Sequence, residues 1–328
     1  MKSSTRIALL ILVALLGLSA CQKKSEVLEI KLAHGLAPTH PVHKAMVYFA
    51  DEVAKKSDGT IHIDIYPSEQ LGSERECIEL LQIGSLGITK VSTSPLESFE
   101  PKFKVFGLPY LFRDDGHRFK VLEGEIGKEL LKAPMDDRLM GLCFYDAGSR
   151  SFYTVDKPVY KPSDLNGLKI RTQESTTAMQ MVRALGGSPT PIAWGELYSA
   201  LQQGIVDGAE NNPPSFYLSH HYEVCKYYTL DEHTAVPDIL LIGTVLWNKL
   251  TDKQKQIIQE AANESAVREK ELWAQSTQES LQKVKDAGVE IINPDKSLFR
   301  KKVEDLYNEI KKDQPEMYQV VQRIRSVK

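Results

Sequence analysis

The sequence has few cysteines, no excess of one charge and only one long apolar run. Three cysteines follow residue 21, namely Cys77, Cys143 and Cys225, and no two cysteines have CxxC spacing. This pattern indicates neither a disulfide framework nor a zinc site, so we expect small buried thiols with at most one bridge. Lys and Arg total 41 against 44 Asp and Glu, a net charge of −3, and no positive field favours nucleic acid.

The apolar run lies at the N-terminus. Lys2 and Arg6 flank it on the N-terminal side, and the segment from Leu18 to Cys21 follows it. This order is typical of an export signal, and the run is too short to span a bilayer. The last four residues resemble the bacterial lipobox, in which the cysteine is acylated. We predict a lipoprotein signal peptide over residues 1–20 and a lipid anchor on Cys21, with an unlipidated signal peptide as the alternative.

The mature sequence alternates between strand and helix patterns. Residues 28–32 and 61–65 are apolar at every second position, which predicts strands. Pro41 begins an amphipathic helix, and Ser73 with Glu76 forms a capping box at the start of another. A β-α-β-α order predicts an α/β domain with a largely parallel sheet.

A second α/β unit is predicted downstream, where strand patterns at 139–145, 152–155 and 168–171 precede further helices. The length of 328 residues itself favours two domains. The apolar run 236–246 predicts a strand covered on both faces. Residues 251–287 contain neither Pro nor Gly, which predicts a helix of roughly 50 Å that could lie across both domains.

Polar residues follow several predicted strands, where ligands bind in such architectures. They are His34, Lys90, Arg150, Arg171 and the run 210–212. Arg171 is the sharpest candidate, because a guanidinium at a strand end can grip a carboxylate with two hydrogen bonds. The alternative is an arginine that is paired with a carboxylate of the protein itself or lies on the surface.

The sequence has no recognisable catalytic motif. GxSxG, HExxH, GxxxxGK[ST] and a strand-borne GxGxxG are all missing, and the polar residues that follow the strands include no clear nucleophile–base pair. His34, His40 and His43 are a weak metal candidate. Trp194 could stack on an apolar ring face or pack in the core. We therefore expect no catalytic residue, cofactor or metal, and an exported hydrolase is the remaining alternative of another class.

Several segments carry a resemblance to a known family. They include Gln70-Leu71-Gly72, Gly107-Leu108-Pro109-Tyr110, Gly167-Leu168-Lys169-Ile170-Arg171, Trp194-Gly195-Glu196 and Val206-Asp207-Gly208-Ala209-Glu210-Asn211. Almost the whole mature chain resembles the extracytoplasmic solute-binding subunit of a tripartite ATP-independent periplasmic (TRAP) transporter. The resemblance implies the α/β two-domain fold of periplasmic solute-binding proteins, with a hinged cleft and a long helix that spans both domains.

The resemblance also implies roles for individual residues. Arg171 matches the arginine that forms the salt bridge with the substrate carboxylate, Arg150 matches a second cation near that group, and Asn211 matches a ligand-contacting asparagine. Ser92 and Pro95 stand where sialic-acid receptors have a Glu and an Arg, which argues against sialic acid. The segments around residues 73–75, 89–90, 146–150 and 209–214 resemble the hexuronate-binding branch. The remaining implied ligand-binding residues are His34, Glu74, Arg75, Lys90, Trp194, Glu210 and Asn212.

The resemblance implies a receptor that closes on a uronate, such as glucuronate or galacturonate, and delivers it to membrane permease subunits. A receptor for a small dicarboxylate or keto acid is the alternative. We expect a periplasmic monomer, lipid-anchored through Cys21. The expected first domain comprises residues 27–147 and 237–276, and the second comprises 148–236 and 277–328.

Overall fold

A computed structural model describes residues 27–328, which form eleven strands in two sheets among the described residues. The first sheet has the order β2-β1-β3-β10-β4 and the second has the order β11-β9-β5-β8-β6-β7. The strands are β1 Leu28–Ala33, β2 Ile61–Tyr66, β3 Ile88–Ser92, β4 Leu139–Tyr145, β5 Arg150–Thr154, β6 Lys169–Thr172, β7 Ser188–Pro191, β8 Gly208–Asn211, β9 Tyr227–Thr234, β10 Asp238–Gly243 and β11 Glu290–Ile292.

Helices surround the two sheets. They are α1 Pro41–Lys56, α2 Glu74–Ile83, α3 Thr93–Leu96, α4 Asp115–Glu123, α5 Glu125–Lys132, α6 Thr176–Leu185, α7 Leu197–Gln202, α8 Pro213–Leu218, α9 Thr244–Trp247, α10 Asp252–Asp286, α11 Lys296–Lys302, α12 Glu304–Asp313 and α13 Pro315–Ser326. Short 3-10 turns occupy Pro101–Gly107, Ala133–Asp137, Pro162–Leu165, Trp194–Glu196 and His221–Glu223.

The helix boundaries follow the capping residues of the sequence. The capping box between Ser73 and Glu76 is formed at the start of α2. Thr251 caps α10 through a second capping box with Gln254, and the helix then runs for 35 residues. The predicted long helix is confirmed. It packs against α1 beside the first sheet and against α8 beside the second, so it connects the two halves of the molecule.

The first sheet is largely parallel, as predicted, and each sheet contains one reversed strand. β10 runs antiparallel to β3 and β4, and β5 runs antiparallel to β8 and β9. The other strands of each sheet share one direction. The strand predicted over 236–246 is too long, since β10 ends at Gly243 and α9 begins at Thr244.

Each sheet has its own apolar cores. Clusters around Phe49 and Phe106 pack on the first sheet, and clusters around Phe152 and Phe216 pack on the second. The final helix α13 contributes Val321 to the core of the first sheet. The domain ranges 27–147 with 237–276 and 148–236 with 277–328 stay a prediction.

Three further expectations concern thiols and the membrane. Cys77, Cys143 and Cys225 are buried free thiols, as the spacing predicts. Within residues 27–328, no helix has the length and apolarity needed to cross a bilayer. The predicted signal peptide over residues 1–20 and its acceptor Cys21 lie outside the described residues.

Candidate functional site

One cavity lies between the two sheets and is lined from both sides. Strand direction explains this convergence. On the second sheet, β5 runs antiparallel to β8 and β8 runs parallel to β6, so the start of β5 meets the ends of β8 and β6 at one edge. On the first sheet, Asp238 at the start of β10 pairs with Ser92 at the end of β3. Polar residues from both edges therefore face one space.

Seven of the ten predicted ligand-binding residues line this cavity. They are Glu74, Lys90, Arg150, Arg171, Trp194, Asn211 and Asn212. The structure does not bring the other three to it. Arg75 is exposed and pairs with Glu79. His34 is buried behind the cavity, where it contacts His43, and Glu210 is buried against Arg150.

Arg171 is a buried cation whose guanidinium is only partly satisfied. Its side chain comes from β6, its Nε donates to the carbonyl of Ile192 at 2.9 Å, and its guanidinium lies 5.7 Å from the ring centroid of Trp194. Nη1 is buried and has no hydrogen-bond partner among the described residues. Burial lowers the pKa of Arg171, but an arginine remains charged at neutral pH. The cavity therefore contains a positive charge that needs an acceptor.

Arg150 is equally buried but is fully paired within the protein. Its Nη2 donates to Glu210 Oε1 at 2.9 Å and its Nε donates to Glu210 Oε2 at 2.5 Å. Burial would lower the pKa of Arg150, but the carboxylate of Glu210 outweighs burial and raises it. Burial would raise the pKa of Glu210, yet Arg150 and His233 lower it to about 2. Arg150 therefore supports the site, but its charge is already paired within the protein.

Asn211 and Asn212 have their amide oxygens engaged by the protein. Asn211 Oδ1 accepts from Arg150 Nη1 at 2.9 Å and from the Asn212 backbone N–H at 2.9 Å. Asn212 Oδ1 accepts from the Ser215 backbone N–H at 2.9 Å as the cap of α8. Their Nδ2 groups are left as donors. We call Arg171, Asn211 and Asn212 the donor wall, because each offers N–H groups to an oxygen-bearing ligand.

The opposite side of the cavity is rich in carboxylates. Lys90 Nζ lies 2.9 Å from Asp238 Oδ2 and 3.5 Å from Glu74 Oε1, and Glu74 also accepts from the Ser92 backbone at 2.9 Å. Burial would lower the pKa of Lys90, but the two carboxylates raise it. Glu69 adds a third carboxylate. We call Glu69, Glu74, Asp238 and Lys90 the acidic wall, which has three carboxylates against one ammonium.

Sequence reasoning missed several residues of the cavity. His40 and Ser215 line it from opposite sheets, with His40 Nε2 3.4 Å from Ser215 Oγ. Burial lowers the pKa of His40 well below its usual value, so this contact involves a neutral imidazole. The other lining residues that were not assigned to the ligand site are Gly35, Leu36, Glu69, Ser73, Ser92, Pro95, Ala147, Gln173, Glu174, Ile192, Ala193, Asp238 and Trp273. The sequence signal for Asp238 is its position as the charged residue before the apolar run 239–242, and the structure shows that its strand pairs with the strand of Lys90.

Two of the three histidines of the weak metal candidate contact each other beside the cavity. His34 Nε2 lies 3.0 Å from His43 Nδ1, and burial together with Lys90 lowers the pKa of His34 to about 2. Within residues 27–328, the grouping with the spacing of metal ligands is Glu29, His62 and Asp64, which are exposed and do not line the cavity. Exposed acidic groups of this kind are common without a metal.

Two sheets, a cleft between them and a helix that spans both define a two-domain solute-binding protein. The family model described as "Bacterial extracellular solute-binding protein, family 7" (DctP) matches residues 32–314. The chain belongs to this family, the extracytoplasmic solute-binding proteins of TRAP transporters. Proteins of this class bind small carboxylates and deliver them to a membrane permease.

Solved structures and curated relatives agree with this family. A TRAP periplasmic solute-binding protein of Chromohalobacter salexigens, with bound D-glucuronate, is 35% identical with a TM-score of 0.88, covering 91% of this chain and 100% of that one. One of Xanthobacter autotrophicus, with bound β-D-galacturonate, is 37% identical with a TM-score of 0.88 and the same coverage. The C4-dicarboxylate-binding periplasmic protein DctP of Rhodobacter capsulatus is 32% identical over 80% of this chain and 79% of its own.

Proposed function

We propose that this protein is the TRAP receptor for a hexuronate such as glucuronate or galacturonate. The observation that carries the proposal is the buried, unpartnered Nη1 of Arg171 in a cavity that also contains the acidic wall. Arg171 accepts the ligand carboxylate, with Asn211 and Asn212 as further donors. The carboxylates of the acidic wall accept hydrogen bonds from ring hydroxyls. The uronates bound by the proteins of C. salexigens and X. autotrophicus support this assignment.

The charges of the cavity argue against a small dicarboxylate. One carboxylate of such a ligand would pair with Arg171, but the second would face three carboxylates and a single lysine that is already paired twice. Like charges at short range in a poorly hydrated cavity repel strongly. Neutral hydroxyls avoid this repulsion and supply donors to the same carboxylates. The acidic wall therefore discriminates against a second negative charge, although the DctP protein of R. capsulatus is named for dicarboxylates.

The remaining features of the receptor belong to the same proposal. The protein acts as a periplasmic monomer, anchored by lipid on Cys21 after removal of residues 1–20, and catalyses no reaction on its ligand. Residues 27–147 with 237–276 form one domain and 148–236 with 277–328 form the other, whose last helix α13 packs back onto the core of the first sheet. His34 and Glu210 act from behind the cavity through their contacts with His43 and Arg150, and Trp194 orients the Arg171 guanidinium.

A thermal-shift panel tests the proposed ligand. The mature chain is heated with glucuronate, galacturonate, aldonates, C4-dicarboxylates and keto acids at millimolar concentration. A ligand at about 100 times its Kd stabilises the folded state by about 2.7 kcal/mol, so uronates are expected to raise the midpoint clearly. Calorimetric titration then gives Kd. A larger shift with dicarboxylates than with either uronate would contradict the proposal, and the release of a product from any compound would favour an enzyme.

A further inference from the structure

Glu69 carries the second unpartnered polar atom of the ligand cavity. Its Oε1 is buried and has no hydrogen-bond partner among the described residues, as is also true of Arg171 Nη1. Both residues line the same cavity, one from the first sheet's side and one from the second. A buried acceptor and a buried donor without partners are each costly. A ligand that offers both an acidic group and a hydroxyl can satisfy both.

The backbone around Glu69 is bent in a way that turns this side chain into the cleft. Ser68 and Glu69 follow β2 with φ values of 56° and 58°. These values lie in the left-handed region, which residues other than glycine rarely adopt. The Glu69 backbone N–H donates to the carbonyl of His34 at 3.1 Å, which fixes the bend. Such backbone strain is unfavourable and persists only where the surrounding structure imposes it, often at ligand sites.

Glycines on both sides of the cleft make room for the Glu69 carboxylate. A Cβ at Gly35 would lie 3.2 Å from Glu69 Cγ, and a Cβ at Gly195 would lie 2.3 Å from Glu69 Oε2. Glu69 Oε2 accepts a hydrogen bond from the Gly195 backbone N–H at 3.1 Å. Gly195 belongs to the second sheet's side, so one carboxylate touches the opposite half of the molecule with one oxygen and faces the ligand space with the other.

We propose that Glu69 couples ligand recognition to closure of the cleft: Oε2 holds Gly195 while Oε1 accepts a hydrogen bond from a ligand hydroxyl. The inference rests on the proposed hexuronate function and adds a residue that selects hydroxylated acids. When the cleft closes without a ligand, Oε1 of Glu69 and Nη1 of Arg171 have no hydrogen-bond partner. A carboxylate without a hydroxyl in the right place satisfies Arg171 alone, and only a polyhydroxy acid satisfies both.

The test compares wild-type protein with Glu69→Gln on D-glucuronate and on four analogues that each lack one hydroxyl. Glutamine can still accept from Gly195, but its amide group presents donors where the carboxylate accepted. We expect Glu69→Gln to weaken glucuronate binding at least tenfold in calorimetric titrations. For one analogue, which wild type itself binds at least tenfold more weakly than glucuronate, we expect variant and wild type to agree within twofold. Galacturonate and its analogues replace this series if galacturonate is the tighter ligand.

A matched control separates local contact from general charge. Glu196→Gln removes one negative charge next to Gly195 at an exposed position that does not line the cavity, and we expect it to leave every Kd within twofold of wild type. An equal loss for Glu69→Gln across all analogues would show that Glu69 only closes the cleft, and no loss at all would show that it does neither. Either result overturns this inference while leaving the uronate receptor intact. If wild-type protein binds neither uronate, the proposed function itself fails.

Discussion

The two buried arginines of the cavity should respond in opposite ways to the same substitution. Arg171 and Arg150 are 2% and 4% exposed, so each change removes a buried guanidinium. Arg150 has an internal carboxylate partner at 2.5 Å, whereas Arg171 has only a backbone carbonyl and the face of Trp194. Methionine is an apolar replacement of similar length. Arg171→Met and Arg150→Met therefore distinguish the charge that we propose to bind the ligand from the charge that is paired within the fold.

Arg171→Met should strongly weaken ligand binding without destabilising the protein. Truncating one partner of a buried ion pair costs about 3–5 kcal/mol, so Kd for the uronate should rise by about 10²- to 10⁴-fold. In the free protein the substitution removes a buried charge that has no carboxylate partner. The hydrogen bond to Ile192 and the contact with Trp194 offset only part of the desolvation cost. We expect the melting midpoint without ligand to stay unchanged or to rise.

Arg150→Met should lower the stability of the free protein. It leaves the Glu210 carboxylate buried against His233 without its main partner, which costs about 3–5 kcal/mol. The melting midpoint should then fall by roughly 6–20 °C. Calorimetric melting and ligand titration of both variants, beside Arg171→Lys as a charge-preserving control, measure all of these quantities. A fall of the midpoint for Arg171→Met as large as that for Arg150→Met would refute the reasoning, because Arg171 would then also have an internal role.

Two further predictions follow from contacts away from the ligand. Glu97 accepts a hydrogen bond from Thr176 Oγ1 at 2.8 Å and another from the Thr177 backbone N–H at 3.1 Å, at the start of α6. We expect Glu97→Ala to raise the Kd of every ligand by one common factor of about tenfold in titrations. A factor that differs between ligands would contradict this. Burial would lower the pKa of His233, but Asp231 and Glu210 raise it to about 9. The contribution of protonated His233 to the free energy of unfolding is therefore complete below pH 6.5 and is lost as the pH rises through 9. Urea unfolding should show this loss of stability in wild-type protein and not in His233→Gln.

Local signals were enough to predict most elements and part of the site. The capping boxes at Ser73 and Thr251 determine where α2 and α10 begin. Each depends on two residues three positions apart, so it can be recognised in the sequence. Arg171 could be selected because it stands near the end of a short strand. The reversed direction of β10 could not be predicted, since it depends on which strands β10 joins, and β3 and β10 are separated in the chain by most of the second sheet.

Glu69 escaped sequence analysis for a physical reason. Its importance depends on a left-handed backbone at two residues that are neither glycine nor asparagine, and on a contact with Gly195, which is 126 positions later in the chain. A helix-capping residue can be recognised from its neighbours in the sequence. The role of a cleft residue depends instead on which residues approach it from the other sheet. The adjacent Gln70-Leu71-Gly72 segment carries the family resemblance, but it gives no sign that the Glu69 side chain enters the cleft rather than lying exposed in a turn.

The same limit applies to the two arginines. Each stands at the edge of the second sheet that faces the cleft, and each is as buried as a core residue, so local sequence assigns them the same chemistry. What distinguishes them is Glu210, which is 60 positions from Arg150 and accepts hydrogen bonds from the guanidinium of Arg150 but not from that of Arg171. A buried charge must find its counter-charge inside the protein or in a ligand. The fold supplies that partner to Arg150 and leaves Arg171 with a backbone carbonyl and a ring face, which is why we propose the acidic group of the ligand as the counter-charge of Arg171.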